Sequence, residues 1–450
     1  MNARSDPLLG ELADFAVRPG PIPAAVLTQA RHVLLDSVGC ALASSRIPSG
    51  LALARWAASR PGGARPLGLE LSSDRDTAAF VGAQLINAMD FDPVSSAGHD
   101  VPAVVSAALV AVEHAGGSGL DLLEAIAVGL EVSARLTARY RELVAELGSH
   151  EIRHVGHPLF APAVVAAIAR AEELSAEECR HGIALATWMR PTDTVADYFV
   201  RTTVSMAKYT LFGQIAQVGL AAAELARCGF TGPSSVFGAD QDFWHIGANR
   251  EWEPLPMADG EWRHLVRHKL LPTNLPTIAV KAAFSDLVAN NDLDADSIEQ
   301  VVVSAGDSGN HVVMKANRLL TEQDCLLHFP YQLACLALRI PRVLWAVPGT
   351  RCRAEVRRFM DHVEVRESKG AARVEVATHD AVFAATASGG GTMTTPLSAD
   401  HVGALVAKFI ECAATVHGAE AASELAQQLL AVNSARVLDS ARFASASEPH

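Results

Sequence analysis

The sequence predicts a mainly α protein: a large all-helical domain (residues 1–265 with 395–450) and a smaller α+β domain (residues 266–394). Three observations predict it. Up to about residue 265, apolar residues, chiefly Ala and Leu, recur at three- and four-residue steps. After that point short β-branched runs appear. Helical spacing then returns behind Ser388-Gly389-Gly390-Gly391, which reads as a linker.

The elements follow in chain order. Ala24 to Ala43 is a helical stretch, broken by Ser44-Ser45 and Pro48. Val101 to His114, Leu120 to Ala138, Phe160 to Leu174, Ala176 to Trp188 and Val204 to Cys228 are further helices. Gly116-Gly117, Gly156, Pro158, Gly229 and Gly232-Pro233 punctuate them. Many of these faces are apolar nearly all round, so the helices bury one another. Strands are expected at Val301–Ser304, Val363–Val365, Val374–Ala377 and Val382–Ala385. Helix-like stretches, Pro276–Val288 and Tyr331–Leu338, lie among them. Ala399 to Ala431 is the returning helical tail, expected to pack back on the first domain. A cleft between two such domains is a natural small-molecule site.

The 450 residues suffice for two domains, and with 50% hydrophobic and 19% charged residues they fill a large core. The net charge of −13 argues against a nucleic-acid partner, because phosphate binding needs surplus Lys and Arg. It leaves room for an anionic substrate met by a few focused cations. The seven cysteines are odd in number and include no C-x-x-C, which points to a reduced, intracellular protein without structural zinc. Met1 to Val17 carries Asp6, Glu11 and Asp14 and lacks a signal-peptide core. No apolar run reaches the roughly 18 residues of a membrane span. A cytoplasmic location without membrane contact is therefore expected.

Several motifs offer chemistry. His150-Glu151-Ile152-Arg153-His154 matches H-E-x-x-H, but Gly148, Gly156 and Pro158 box it in, whereas a zinc-binding helix must be long. A loop or a non-metal site is the preferred reading. Gly306-Asp307-Ser308-Gly309 reads as a turn rather than a protease nucleophile. Asn87-Ala88-Met89-Asp90-Phe91-Asp92 ends an apolar stretch with two acids, and His99-Asp100 follows. That spacing suits an acid/base group, and equally suits acids that cap helices. Lys208 and Lys269 stand in apolar sequence, either snorkelling or recruited to an anion. His157 before Pro158 and Tyr331 after Phe329-Pro330 are as ambiguous.

Taken in order, these fragments resemble the MmgE/PrpD family, which includes 2-methylcitrate dehydratases, cis-aconitate decarboxylases and iminodisuccinate epimerases. The resemblance runs along nearly the whole chain. Val33 to Ala43 is similar to the family's first helix, and Ala79 to Asp92 with His99 to its signature segment. Gly156-His157-Pro158 is similar to its glycine/histidine/proline turn. Lys208 with Gly213, followed by Ala226 to Pro233, resembles its lysine helix and closing loop. Lys269-Leu270-Leu271-Pro272, Phe329 to Ala334, Pro396-Leu397-Ser398 and Lys408-Phe409 resemble its later motifs. The departures are Pro93 and Val94 after Asp92, Leu211 after Lys208, Leu271 for an aromatic, and Asn274 and Thr277 where a histidine is usual. Polar groups are traded for apolar ones, which implies a less polar substrate.

The resemblance implies a helical domain with an α+β lid, a homodimer, and no metal or organic cofactor. It implies a lyase for a small carboxylic acid, with dehydration of a 2-methylcitrate-like hydroxy-acid as the leading reading. Decarboxylation of a cis-aconitate-like acid and epimerisation are alternatives through the same carbanion. A catalytically inactive metabolite-binding or scaffolding homologue, and a zinc hydrolase, are readings of other classes. In the lyase reading His99 moves the proton and Asp90 sets its tautomer. Lys208 and Lys269 hold carboxylates, while His157 and Tyr331 are acids toward a leaving hydroxyl.

Overall fold

The computed structural model describes residues 7–18, 21–147, 160–189, 205–237, 261–307, 319–387, 397–432 and 443, without the side chains of 139–147 and 208–210. Its helical part opens with α1 (Pro7–Val17), α2 (Ala24–Ser44), α3 (Pro48–Ala58) and α4 (Arg75–Asn87). A two-residue strand, β1 (Val94–Ser95), follows. Then come α5 (Val101–Ala115), α6 (Gly119–Leu147), α7 (Phe160–Ala171) and α8 (Ala176–Met189). A 3-10 turn at Met206–Tyr209 leads into α9 (Thr210–Arg227).

Local chemistry sets the ends of these helices. Asp74 caps α4 by accepting from the Thr77 amide at 2.8 Å. Pro48 and Pro102 sit in the first turns of α3 and α5, where a missing N–H does no harm. Gly116 ends α5 in the left-handed conformation, at φ 67°. Every residue from Val101 to Val112 is buried, as are all from His32 to Ser44 in α2. Helices apolar on all sides belong inside a bundle, and α4, α5 and α7 surround α9 there. Gly213 of α9 lies so close to α4 that an added Cβ would stand 2.8 Å from the Phe80 ring.

The α+β part begins at β2 (Val266–Arg267), which pairs antiparallel with β1. It continues with α10 (Ile278–Asn290), β3 (Ile298–Ser304), α11 (Glu322–Cys325) and α12 (Phe329–Ala337). Next are α13 (Pro348–Arg351), α14 (Ala354–Met360), β4 (Val363–Arg366), β5 (Arg373–Thr378) and β6 (Val382–Thr386). The sheet order is β4-β3-β5-β6, with β3 parallel to β4 and antiparallel to β5. Val301, Val303, Val374 and Val376 form the buried face of the sheet and share a second core with Phe284, Phe329 and Trp345.

The chain then re-enters the bundle as α15 (Ala399–His417) and α16 (Ala419–Leu430). Helix α15 packs on α2, and its Leu405 and Phe409 belong to the first core. A small third core joins the two parts. It holds Cys40, Met89 and Phe91 from the bundle, with Leu326, Val343 and Ala346 from the α+β part.

The mainly α architecture with a smaller α+β part is the one expected. The helical tail expected over Ala399–Ala431 is made of two helices, parted at Gly418 (φ 79°). The helix expected from Val204 starts with a 3-10 turn. All seven cysteines are free. Among the described residues no helix is long and apolar enough to cross a membrane.

Candidate active site

The site grows from the β1–β2 ladder. Val94 pairs with Arg267 and Ser95 with Val266, and Ser96 donates its amide to Leu265 at 2.7 Å. An antiparallel register carries on outward, so Lys269 comes to lie opposite Asp92. Two residues of ladder thus join segments about 170 positions apart in sequence.

Lys269 is fully buried. Its ammonium donates to the Asp90 carboxylate (Oδ1, 2.5 Å) and to the Asp90 backbone carbonyl (3.0 Å), and lies 3.6 Å from Asp92 Oδ1. Asp90 stands at φ 50°, in the left-handed region. Aspartate tolerates that region better than most residues, yet it must be held there. One cation gripping both the carboxylate and the carbonyl of the same residue does this.

Asp92 then turns to the histidine. Its Oδ2 lies 2.7 Å from His99 Nδ1, and the Asn87 amide is 3.4 Å from the same nitrogen. The carboxylate is wholly buried while the imidazole is 26% exposed. Phe212 of α9 flanks the ring at a centroid distance of 5.8 Å. A carboxylate on Nδ1 fixes the proton there and leaves Nε2 as the nitrogen able to exchange one. Behind His99, Asp100 is fully buried, and burial pushes its carboxyl above the ordinary range.

A second network backs the same turn. His268, adjacent to Lys269, meets Asp36 Oδ2 at 2.6 Å, and Lys408 meets Asp36 Oδ1 at 2.5 Å. Lys408 also donates to the Phe91 carbonyl at 2.6 Å and lies 3.9 Å from the centre of the Phe91 ring. Burial works against a charge on Asp36, but Lys408 and His268 outweigh it and hold the carboxyl below its usual value. A third network braces the chain after Lys269. Lys281, fully buried, donates to Thr273 and Thr277 at 2.7 Å each and to Gln332, and sits 4.4 Å from the Phe329 ring centre. Burial pulls the Lys281 amine well down, opposed by the charge of Asp90.

The structure therefore brings Asp90, His99 and Lys269 together, with three differences from expectation. Asp92, not Asp90, orients His99. The Lys269 ammonium is committed to Asp90 rather than open to a substrate. Tyr331 lies in the second core with no exposed surface, and its hydroxyl donates to the Trp345 carbonyl at 2.7 Å. Burial pushes its phenol far up. Lys208 lies in the Met206–Tyr209 turn, with its side chain outside the description. His157 and the His150–His154 motif lie outside the described residues. Sequence reasoning missed His268 and Lys281. Lys281 carries the signal that singled out Lys208 and Lys269, a lysine in an apolar run.

Asp90, Asp92 and His99 offer three ligand atoms within 4.8 Å of one another, a set with the composition of a metal site. The Lys269 ammonium already balances these carboxylates, so a divalent ion there must displace it.

Two outcomes test the electrostatics. Lys269→Met strands two buried carboxylates and should destabilise the protein by about 3–5 kcal/mol in urea unfolding, with Asp90→Asn restoring part of the loss. A loss under about 0.5 kcal/mol, the scale of a neutral surface change, contradicts the pairing. Because the native Asp36 carboxyl is lowered, its stabilisation is full above about pH 4 and fades as pH falls through the native value. The stability curves of wild type and Asp36→Asn should converge on acidification. Curves that stay parallel down to about pH 3 contradict it.

The chain is similar to the cis-aconitate decarboxylase-like protein oryM of Aspergillus oryzae, at 30% identity over 49% of this chain and 46% of that protein. It is 28% identical to mouse cis-aconitate decarboxylase over 58% of this chain and 54% of that one. For the human cis-aconitate decarboxylase the identity is 29%, over 50% and 48%. These matches span about half the length of each relative. The MmgE/PrpD N-terminal domain matches residues 10–253, more than half of the chain, and the protein belongs to the MmgE/PrpD family.

Proposed function

We propose that the protein is a lyase that decarboxylates an unsaturated carboxylic acid of the cis-aconitate kind, with His99 as the proton carrier. The observation that carries this reading is the Asp92–His99 pair, a buried carboxylate on the Nδ1 of a partly exposed imidazole. In the reaction the bond from a carboxylate to its carbon breaks. The electron pair passes into the skeleton, carbon dioxide leaves, and the skeleton takes a proton at carbon from Nε2 of a protonated His99. Asp92 keeps the proton on Nδ1 throughout and so returns the ring to the same tautomer afterwards. Lys208, at the foot of α9, is assigned to a substrate carboxylate, a role drawn from the family pattern. Lys269 is assigned a positioning role, since its ammonium is spent on Asp90.

Two observations favour decarboxylation over the dehydration expected first. The three relatives carry cis-aconitate decarboxylase names. Dehydration also needs an acid for the departing hydroxide, and the Tyr331 hydroxyl is buried on the Trp345 carbonyl. His157 is the remaining candidate acid in the dehydratase reading.

The test is NMR in deuterium oxide with cis-aconitate, citrate and 2-methylcitrate. The expected result is carbon dioxide release with one deuterium at carbon, slowed at least 100-fold in a folded His99→Ala variant, in keeping with the roughly 100- to 10,000-fold worth of a general acid. An alkene product without carbon dioxide assigns the dehydratase reading instead. Wild-type turnover in His99→Ala rejects the role of His99.

A further inference from the structure

A cavity of about 310 Å³ lies beside the site, at the lower end of the size range of small-molecule pockets. It opens where α3, α4, α9 and the 3-10 turn meet α11 of the α+β part. Its position ties it to the chemistry. Ala88 lines it, and the preceding residue, Asn87, touches His99. Met206 lines it too and shares a single 3-10 turn with Lys208.

Its chemistry is not that of a polycarboxylate site. Trp56, Phe80 and Met206 give it apolar walls, and among its described lining residues there is no Lys, Arg or His. Two polar atoms at its wall are buried without a hydrogen-bond partner: Ser49 Oγ and Gln323 Oε1. Gln323 is 1% exposed, so its oxygen gains a partner only when the side chain turns into the cavity it lines. Directly behind them lies a buried carboxylate. Glu322 accepts from the Ser49 amide at 3.1 Å and from the Gln323 side-chain amide at 2.6 Å. An orphan carbonyl oxygen backed by a carboxylate attracts an N–H or O–H donor and repels an anion.

Building on the lyase reading above, we propose that this cavity receives a neutral arm of the substrate, apolar along its length and bearing an N–H or O–H donor for Gln323. The substrate is then an acid with one carboxylate replaced by such an arm, rather than a tricarboxylate. Trp56 and Phe80, packed edge-on with ring centroids 5.0 Å apart, form one wall against the arm, Gln323 and Ser49 turn their oxygens to its donor, and the remaining carboxylate stays with the His99 end.

The test uses pairs of ligands: cis-aconitate, citrate and 2-methylcitrate, each against its mono-N-butylamides. Binding is read by calorimetry and turnover by NMR in deuterium oxide. At least one amide should bind about tenfold more tightly than its parent, because the parent must strip water from a charge that no cation among the described lining residues receives. Gln323→Lys should erase or invert that ratio. Leu53→Lys, on a half-buried position of α3 that also lines the cavity, should do the same if Gln323→Lys fails to fold. Parents that bind as well as their amides, binding by neither set, or a ratio unmoved by a folded variant overturns the proposal. Preferred amides that undergo no turnover or exchange uphold the cavity assignment and overturn the lyase reading. Turnover of the parents without preference does the reverse.

Discussion

The Lys269 ammonium, sealed between Asp90 and Asp92, is the constraint on which the site depends. Removing one cation and two carboxylates from water is expensive, and only short, multiple contacts offset it. Lys269 makes them by gripping the Asp90 carboxylate and carbonyl together. The grip holds Asp90 left-handed at the end of α4, and the reversed backbone delivers Asp92 to His99. The same contact binds the bundle to the α+β part, since Lys269 follows β2 and Asp90 follows α4.

The other two networks remove the remaining freedom. Lys408 holds the Phe91 carbonyl from α15, on the residue between the two acids, and Asp36 of α2 gathers Lys408 and His268 onto one carboxylate. Successive residues His268 and Lys269 thus send their side chains to different acids, Asp36 on α2 and Asp90 in the turn after α4. Lys281 with Thr273, Thr277 and Gln332 fixes the chain that leaves Lys269. Helices α2 and α15 of the bundle and α10 and α12 of the α+β part thus brace the turn after α4 and the chain after β2. Of these paired groups His99 keeps the most surface open, 26% of its side chain against 7% for His268.

The fold was legible because its main signal is redundant. Each long helix carries several turns of Ala and Leu spacing, so a misplaced end does not hide the element. Gly418 was not legible as a break, because apolar spacing continues on both sides of it. The β1–β2 ladder was invisible for a different reason: two residues have no period. Yet that ladder decides which lysine meets which acid. Spacing offered Asp90 and Asp92 equally to His99, and the choice rests on a backbone angle at Asp90. Tyr331 shows the converse. Its motif was legible, but the partner of its hydroxyl is a backbone carbonyl, which leaves no mark in sequence. The loss of polar residues at Val94, Leu211 and Leu271 was legible, and it accords with a cavity walled by apolar and amide side chains.

Buried ion pairs aim Asp92 at one nitrogen of His99 and leave the other open to exchange a proton. The most direct measurement is the nitrogen-15 NMR spectrum of the histidine-labelled protein at neutral pH, with the His99 signals assigned through His99→Gln. The expected result is a proton resident on Nδ1 and exchange at Nε2, with the preference lost in Asp92→Asn. A proton resident on Nε2, or a tautomer indifferent to Asp92, would contradict it.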